Sequence, residues 1–236
     1  MKVHYRNHLI AAIPALEFNF WKPELTLVNL KPGQQLFSAG DTMTYIYFPI
    51  SCVVSLQYNL EDGHSTQFTI VGNEGLVGIH IFTGNYPTSS SAIVECGGEA
   101  LKVAAFFVLD QFNSSGQLRK IILRYMQALM THSAQMAVCN RYHLVRQQLC
   151  RELLLCNDRL PDHQVLITQD RLANMIGVRR ESVTEAASKL EDAGLIAYKR
   201  GVIKILDRAG LEKIACECYA VVKNEYDHLF LNEKNR

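Results

Sequence analysis

The segment ITQDRLANMIGVRRESVTEAASKLEDAGLI, from Ile167 to Ile196, constrains the chain more than any other, because its apolar spacing and its glycines fit two short helices crossing at a sharp turn. Counted from Gln169, Leu172, Ala173 and Ile176 make an i, i+1, i+4 face, with small Ala173 where a second helix must approach closely. Thr168 can cap the start of the first helix, and Gly177 supplies the left-handed conformation that ends it. Val178, Val183, Ala186, Ala187 and Leu190 then form a second apolar face. The outward side of this second helix begins with Arg179, Arg180, Glu181, Ser182 and Glu185, side chains that reach base edges and phosphates when such a helix enters a major groove.

An ordinary helical hairpin with solvated arginines fits the same spacing, and the residues beyond the second helix argue against it. Gly194 ends that helix, and Leu195 to Leu206 reads as two short strands around Lys199-Arg200-Gly201, with alternation in Val202, Ile203, Lys204 and Ile205. This is the form of a wing. Lys199, Arg200 and Lys204 would pair with phosphates and hold register without reading sequence.

At 236 residues the chain suits two domains. No apolar run reaches the roughly 18 residues of a membrane span, and the N-terminus has no secretory pattern, so a cytoplasmic protein is expected. A net charge of +1 excludes a general nucleic-acid coat but not a site-specific reader, because basic residues outnumber acidic ones locally between Arg171 and Arg208. Seven cysteines, an odd number without C-x-x-C spacing, fit buried thiols in a reducing compartment. Cys216 and Cys218 would point to different faces of one helix, so no metal site is expected.

Before this region the texture changes twice. Residues 3–22 read as a helical segment interrupted at Pro14. From Glu24 to about Val108, the runs LTLVNL, YIYFPI, CVVSLQY, STQFTIV, SAIVEC and ALKVAA alternate between turn signals such as Lys31-Pro32-Gly33 and Glu61-Asp62-Gly63. Many short strands at near-regular spacing indicate an antiparallel barrel or jelly roll. Next, Leu118, Ile122, Tyr125, Leu129, His132, Met136 and Cys139 recur at steps of four and three, a seam of period 3.5. A helix facing its own core could carry such a seam; pairing with a second copy is the favoured reading. Residues 141–158 read as a further helix, with Asn140 as a hinge and Leu144, Leu149, Leu153 and Leu154 in its core. Asp207 can cap a last helix whose buried face is Leu211, Ile214, Ala215, Cys218, Val221 and Val222.

Roll, long helix and winged helix-turn-helix, in that order, resemble the Crp/Fnr family of bacterial transcription regulators. The likeness spans nearly the whole chain and is most specific from Thr168 to Ile196; Leu30-Lys31-Pro32-Gly33 with Phe37-Ser38-Ala39-Gly40-Asp41 is similar to the opening of the family's cyclic-nucleotide-binding roll. In the family's phosphate cassette a Gly-Glu pair takes the ribose hydroxyl and a later arginine pairs the cyclic phosphate. The matching segments here are Gly72 to Ile79 and Ser89-Ser90-Ser91-Ala92, with Ile79 where the glutamate stands and Ser90 where the arginine stands. A buried phosphate without its arginine loses a charge-assisted bond, so cyclic AMP is not expected to bind in the family's way. The oxygen sensors' N-terminal cysteine cluster is absent, since the first cysteine is Cys52. His80 has no evident partner for haem ligation. No cofactor is expected.

The resemblance implies an α+β chain with an effector domain over 1–115, a dimerisation helix and hinge over 116–140, and a DNA-binding domain over 141–236. Within the recognition helix, Arg180 and Glu181 match the base-reading pair and Ser182 a phosphate contact; Glu185 departs from the second base-reading arginine of many members, and Arg179 is an added cation. Glu74, Gly78, Ile79, Ser90, Ser91, Tyr125 and His132 are the expected effector-pocket residues. The implied partners are DNA, a second copy of the chain and RNA polymerase. A ligand-binding or interaction module that no longer binds DNA and an enzyme are the competing readings; retained Arg180, Glu181 and the wing cations oppose the first, and the lack of any catalytic constellation opposes the second.

Overall fold

The alternating runs pair as two antiparallel sheets. In the computed structural model, which describes residues 6–62, 65–84, 87–161, 164–199 and 201–231, the strands are β1 (Thr26–Leu30), β2 (Gln35–Phe37), β3 (Tyr45–Pro49), β4 (Val53–Asn59), β5 (Ser65–Val71), β6 (Ser91–Cys96) and β7 (Gly98–Ala104). One sheet runs β1-β7-β3 and the other β2-β6-β4-β5. Ile46, Phe48, Val54, Leu56, Ile70, Ala92, Val94 and Val103 fill the roll between them. Two short helices precede it, α1 (His8–Ala11) and α2 (Ala15–Trp21), broken around Pro14 as the sequence suggests. Trp21 is wholly buried and meets Phe48 and Phe107 edge-on, at centroid distances of 6.0 and 5.3 Å, which anchors α2 to the roll.

After β7 come α3 (Ala105–Ser114) and the 27-residue α4 (Gly116–Tyr142), with Ser115 capping α4 by accepting from the Leu118 amide. Here the structure corrects the seam. Leu118, Ile122, Tyr125, Leu129, His132, Met136 and Cys139 are all buried within the single chain, because α4 packs on β5 and on the C-terminal helix. The period of 3.5 was real, but its partner is intramolecular. The exposed side of α4 carries a second stripe, Leu123, Gln127, Met130, Ala134, Ala137 and Arg141, at the same alternating steps. Leu123 is 52% exposed and Met130 67%.

Helix α4 continues through Asn140, so that residue is no hinge; the chain turns at His143 and Leu144, both extended, before α5 (Val145–Asp158). Leu144 stands at the N-cap and is 69% exposed, whereas Leu149, Leu153 and Leu154 are buried as expected. The winged unit follows as β8 (Gln164–Leu166), α6 (Gln169–Ile176), α7 (Arg180–Asp192), β9 (Ile196–Lys199) and β10 (Val202–Ile205). Strand β8, which the sequence did not suggest, makes the wing three-stranded in the order β8-β10-β9.

The C-terminal segment is two helices rather than one. Asp207 caps α8 (Arg208–Ile214) by accepting from the Gly210 amide, the chain bends at Ala215 to Glu217, and α9 (Cys218–Leu231) follows. Leu211, Cys218 and Val222 are buried, while Val221 is exposed and Ile214 and Ala215 are only partly covered.

Candidate functional site

The turn between α6 and α7 is built by the expected residues. Thr168 caps α6 through its hydroxyl, which accepts from the Arg171 amide, and Gly177 closes the helix at φ 69°. A side chain at that φ would strain the backbone by about 1–2 kcal/mol. Leu172, Ala173, Met175 and Ile176 on α6 and Val183, Ala186, Ala187 and Leu190 on α7 are buried, and the two helices pack together. This leaves Arg179, Arg180, Glu181, Thr184, Glu185 and Ser188 exposed, with Ser182 half-buried.

Within that face Arg180 lies 3.4 Å from Asp170, and Glu185 accepts from Lys189 at 2.6 Å, a hydrogen bond that holds its carboxyl below the usual range. Thr184 donates to Gln169 at 2.7 Å and so joins the two helices across the turn. Sequence reasoning missed Thr184 and Ser188; their spacing of three and seven from Glu181 was the available signal. On the wing, Lys199 and Lys204 are exposed on neighbouring strands, and Arg200 lies outside the described residues.

Polar contacts tie this unit to the roll. Arg171 on α6 donates to the Val94 carbonyl at 2.8 Å and lies 3.4 Å from Glu95. Gln67 on β5 donates to Glu152 on α5 at 3.0 Å, and Arg151 donates to the other oxygen of the same carboxylate. Arg159, just after α5, donates to Glu74 at 2.9 Å, with both side chains buried. Glu74, expected in the effector pocket, spends Oε1 on this ion pair, leaves Oε2 without a partner among the described residues, and lines a separate cavity of about 600 Å³ beside Asn73, Asp158 and Tyr226.

The cavity between roll and long helix is elsewhere. It measures about 340 Å³ and is lined by Leu56, Phe68, Thr69, Ile79 and His80 from the roll and by Met126, Leu129, Met130 and Ser133 from α4. Of the expected pocket residues only Ile79 lines it. Tyr125 is sealed beneath the cassette, its hydroxyl donating to the Leu76 carbonyl, and Gly75 has no side chain because Tyr125 occupies that space. Gly78, at φ 111°, lies against Ile46 and Met43.

His132 is buried too, with Nδ1 at 2.9 Å from Thr69 Oγ1 and 3.3 Å from the Tyr226 hydroxyl; burial, then the charges of Arg159 and Arg151, push its pKa well below the usual value and keep it neutral. Ser90 is buried and 3.3 Å from His80 Nε2, while the Ser91 hydroxyl accepts from the Ala39 amide and from Asn59. No lysine or arginine is among the lining residues, so a phosphate there would find no cation.

One cysteine expectation also fails. Cys216 lies in the bend before α9 and Cys218 is the first residue of that helix, so the two do not diverge on a common helix but gather with Cys139 and His143.

A strand roll joined by a long helix to a winged helix-turn-helix is the architecture of a DNA-binding transcription regulator. Residues 27–114 match the cyclic nucleotide-binding domain and residues 147–214 the Crp-like helix-turn-helix domain. Over 203 residues, 81% of this chain and 89% of the relative, the sequence is 23% identical to a CRP-like cAMP-activated global transcriptional regulator of Mycobacterium tuberculosis. Solved structures with the same fold include two from bacteria. FixK2 from Bradyrhizobium japonicum superposes with a TM-score of 0.67 at 13% identity, over 81% of this chain and 98% of that one. A CRP-family transcriptional regulator from Thermus thermophilus gives 0.66 at 18% identity, over 80% and 96%. The chain belongs to the Crp/Fnr family, which is one of transcription regulators and not of enzymes. Among the described residues no helix is long and apolar enough to cross a membrane.

Proposed function

We propose that the chain works as a homodimer that reads DNA with the exposed face of α7 and responds to an apolar effector rather than to a cyclic nucleotide. The observation that carries the reading is the exposure of Arg179, Arg180, Glu181 and Glu185 over the first two turns of α7, with the apolar side of that helix fully used. Arg180 and Glu181 then read base edges, Arg179, Ser182 and the Thr168 end of α6 meet the backbone, and Lys199, Arg200 and Lys204 hold the wing to phosphates. Glu185, held by Lys189, reads a base only by giving up that pair.

The outer stripe of α4, not the buried seam, serves dimerisation in this reading. Leu123, Met130 and Ala137 repeat every seven residues on a surface left exposed among the described residues, and such a seam pairs with its own copy. Met126 and Met130 also line the 340 Å³ cavity, so a second copy on this stripe closes the cavity mouth and couples effector occupancy to dimer geometry. The lining suits an apolar molecule with one or two polar groups facing Thr69, His80 or Ser133. A sensor domain over 1–115, a linking helix over 116–140 and a DNA-binding domain over 141–236, acting in the cytoplasm with RNA polymerase as a partner, complete the proposal.

Selection of bound sequences from a random DNA pool by the full chain tests it. Inverted half-sites with centres about 34–36 Å apart are expected. Bound sequences without a dyad would overturn the dimer. Calorimetry with cyclic AMP and cyclic GMP at sub-millimolar concentration is expected to show no saturable isotherm; a saturable one would overturn the effector reading.

A further inference from the structure

Three thiols and an imidazole meet where α4 ends. Cys139 and His143 are four residues apart and so share one side of that helix end. Cys216 occupies the bend between α8 and α9, and Cys218 opens α9. Their ligand atoms all lie within 4.8 Å of one another, with Cys139 Sγ 3.4 Å from Cys216 Sγ and Cys218 Sγ 3.4 Å from His143 Nδ1. All three cysteines are buried and His143 is half-buried.

The size of this group fits a single tetrahedral metal ion of zinc's dimensions rather than a cluster. Zinc bonds of about 2.3 Å to sulfur and about 2.0–2.1 Å to nitrogen, set tetrahedrally, place neighbouring ligand atoms roughly 3.5–3.8 Å apart. An iron–sulfur cluster spreads its thiolates over separate irons and needs a wider frame than this one. Three thiolates and an imidazole closing a tetrahedron, with no position left for water, make a structural site rather than a catalytic one.

The surroundings fit the same ion. The far nitrogen of His143, Nε2, lies 3.3 Å from the Glu217 carboxylate, which orients Nδ1 toward the thiols as an outer carboxylate orients a ligating histidine. Gln135 donates to Cys218 Sγ at 3.1 Å. Arg151 is wholly buried, its Nε and Nη1 have no hydrogen-bond partner among the described residues, and its charge acts on Cys139 and Cys216. Three thiolates on a divalent cation leave one net negative charge, and the guanidinium of Arg151, paired through Nη2 with Glu152, offsets it only in part.

We propose that Cys139, His143, Cys216 and Cys218 bind one zinc ion as a closed Cys3His site that staples the end of α4 to the start of α9. Three thiols give their protons to solvent as the ion binds, and no electron is transferred. The staple fixes α9, whose Tyr226 lies 3.3 Å from His132 on the inner side of α4.

The full chain, purified under reductant without chelator, should carry one zinc per molecule by mass spectrometry of metals. Cys216→Ser and Cys218→Ser should lose it, and His143→Cys should keep it. Cobalt(II) added to the chelator-stripped wild type should produce thiolate charge-transfer absorption and the intense ligand-field bands of a tetrahedral site, both abolished by prior alkylation. This readout stands even if the serine variants fail to fold. Stripping should speed amide exchange across α9, and zinc should restore protection. The proposal is overturned by a metal-free chain with a Cys139 to Cys216 disulfide under these conditions, by iron with sulfide in place of zinc, or by zinc content that the serine variants leave unchanged.

Discussion

Arg171, on the first helix of the helix-turn-helix, donates to the main-chain carbonyl of Val94 in the roll at 2.8 Å. Its guanidinium also lies 3.4 Å from Glu95, whose carboxylate accepts from Ser55 and whose pKa burial raises. Arg171→Ala removes one of two donors to the Val94 carbonyl, which also accepts from the Gly33 amide at 2.7 Å, and leaves Glu95 with Ser55 alone, so it should destabilise the chain by about 0.5–1.5 kcal/mol. A double-mutant cycle with Glu95→Gln, read by urea unfolding, should return a coupling of about 0.5–3 kcal/mol. Strict additivity would show that the two side chains do not support each other.

Arg180 is free to leave its present partner, because an exposed ion pair such as that with Asp170 is worth only about 0–1 kcal/mol. Arg180→Ala should weaken binding to the selected operator by about 1–3 kcal/mol and spare scrambled DNA. Equal losses on both in a competition assay would make Arg180 a phosphate contact.

Lys199 should behave otherwise, being exposed at the edge of the wing. Lys199→Ala should lower affinity on every sequence and reduce the slope of log K against log salt by about 0.9. An unchanged slope would take the wing out of the interface.

Neighbouring residues on α4 should separate two roles. Met130→Asp places a charge on the exposed stripe and should give folded monomers with poor operator affinity. Leu129→Asp places one in the core, where Leu129 is 7% exposed, and should unfold the chain at a cost of several kcal/mol. Sedimentation with circular dichroism distinguishes the two, and a folded dimeric Met130→Asp would exclude the stripe as the dimer surface.

His132 sets a pH dependence. Its folded pKa lies below the usual value of about 6.5, so on acidification the unfolded state takes up a proton that the folded state refuses. Stability is complete above that value and falls below it, by up to about 1.4 kcal/mol per pH unit until the folded pKa is reached. His132→Gln should flatten this part of the profile; His80, also lowered by burial, keeps its own contribution in both proteins. Parallel profiles in denaturant titrations would remove His132 from the acid response.

Local signals made most of the fold legible. Alternation marked the strands, and Thr168, Gly177, Gly194 and Asp207 marked the helix ends through their own backbone chemistry. The long helix was legible as a helix but not in its partner, because a period of 3.5 records that one face is covered and says nothing of what covers it. Strand β8, at three residues, is too short to show alternation. The cysteine group escaped notice because Cys216 and Cys218 read as one continuous helix, whereas the bend at Ala215 to Glu217 brings them together; Cys139 and His143, four apart, were the readable half. Arg171 with Val94 and Arg159 with Glu74 join positions far apart in sequence, and no local pattern announces them.

The contacts between roll and winged unit bear on how such regulators can be recombined. Glu152 takes its donor from Gln67, Arg159 finds its carboxylate in Glu74, and Arg171 finds its acceptor at Val94, all across the boundary. A graft that joins this winged unit to a foreign sensor at His143 and Leu144 would bury Glu152 and Arg159 against side chains not chosen for them, and removing one member of a buried ion pair costs about 3–5 kcal/mol. The transplantable unit is thus larger than the winged helix: a working hybrid must also import Gln67, Glu74 and the β6 edge at Val94 and Glu95, and hybrids screened without them should fail by misfolding before promoter choice is ever tested.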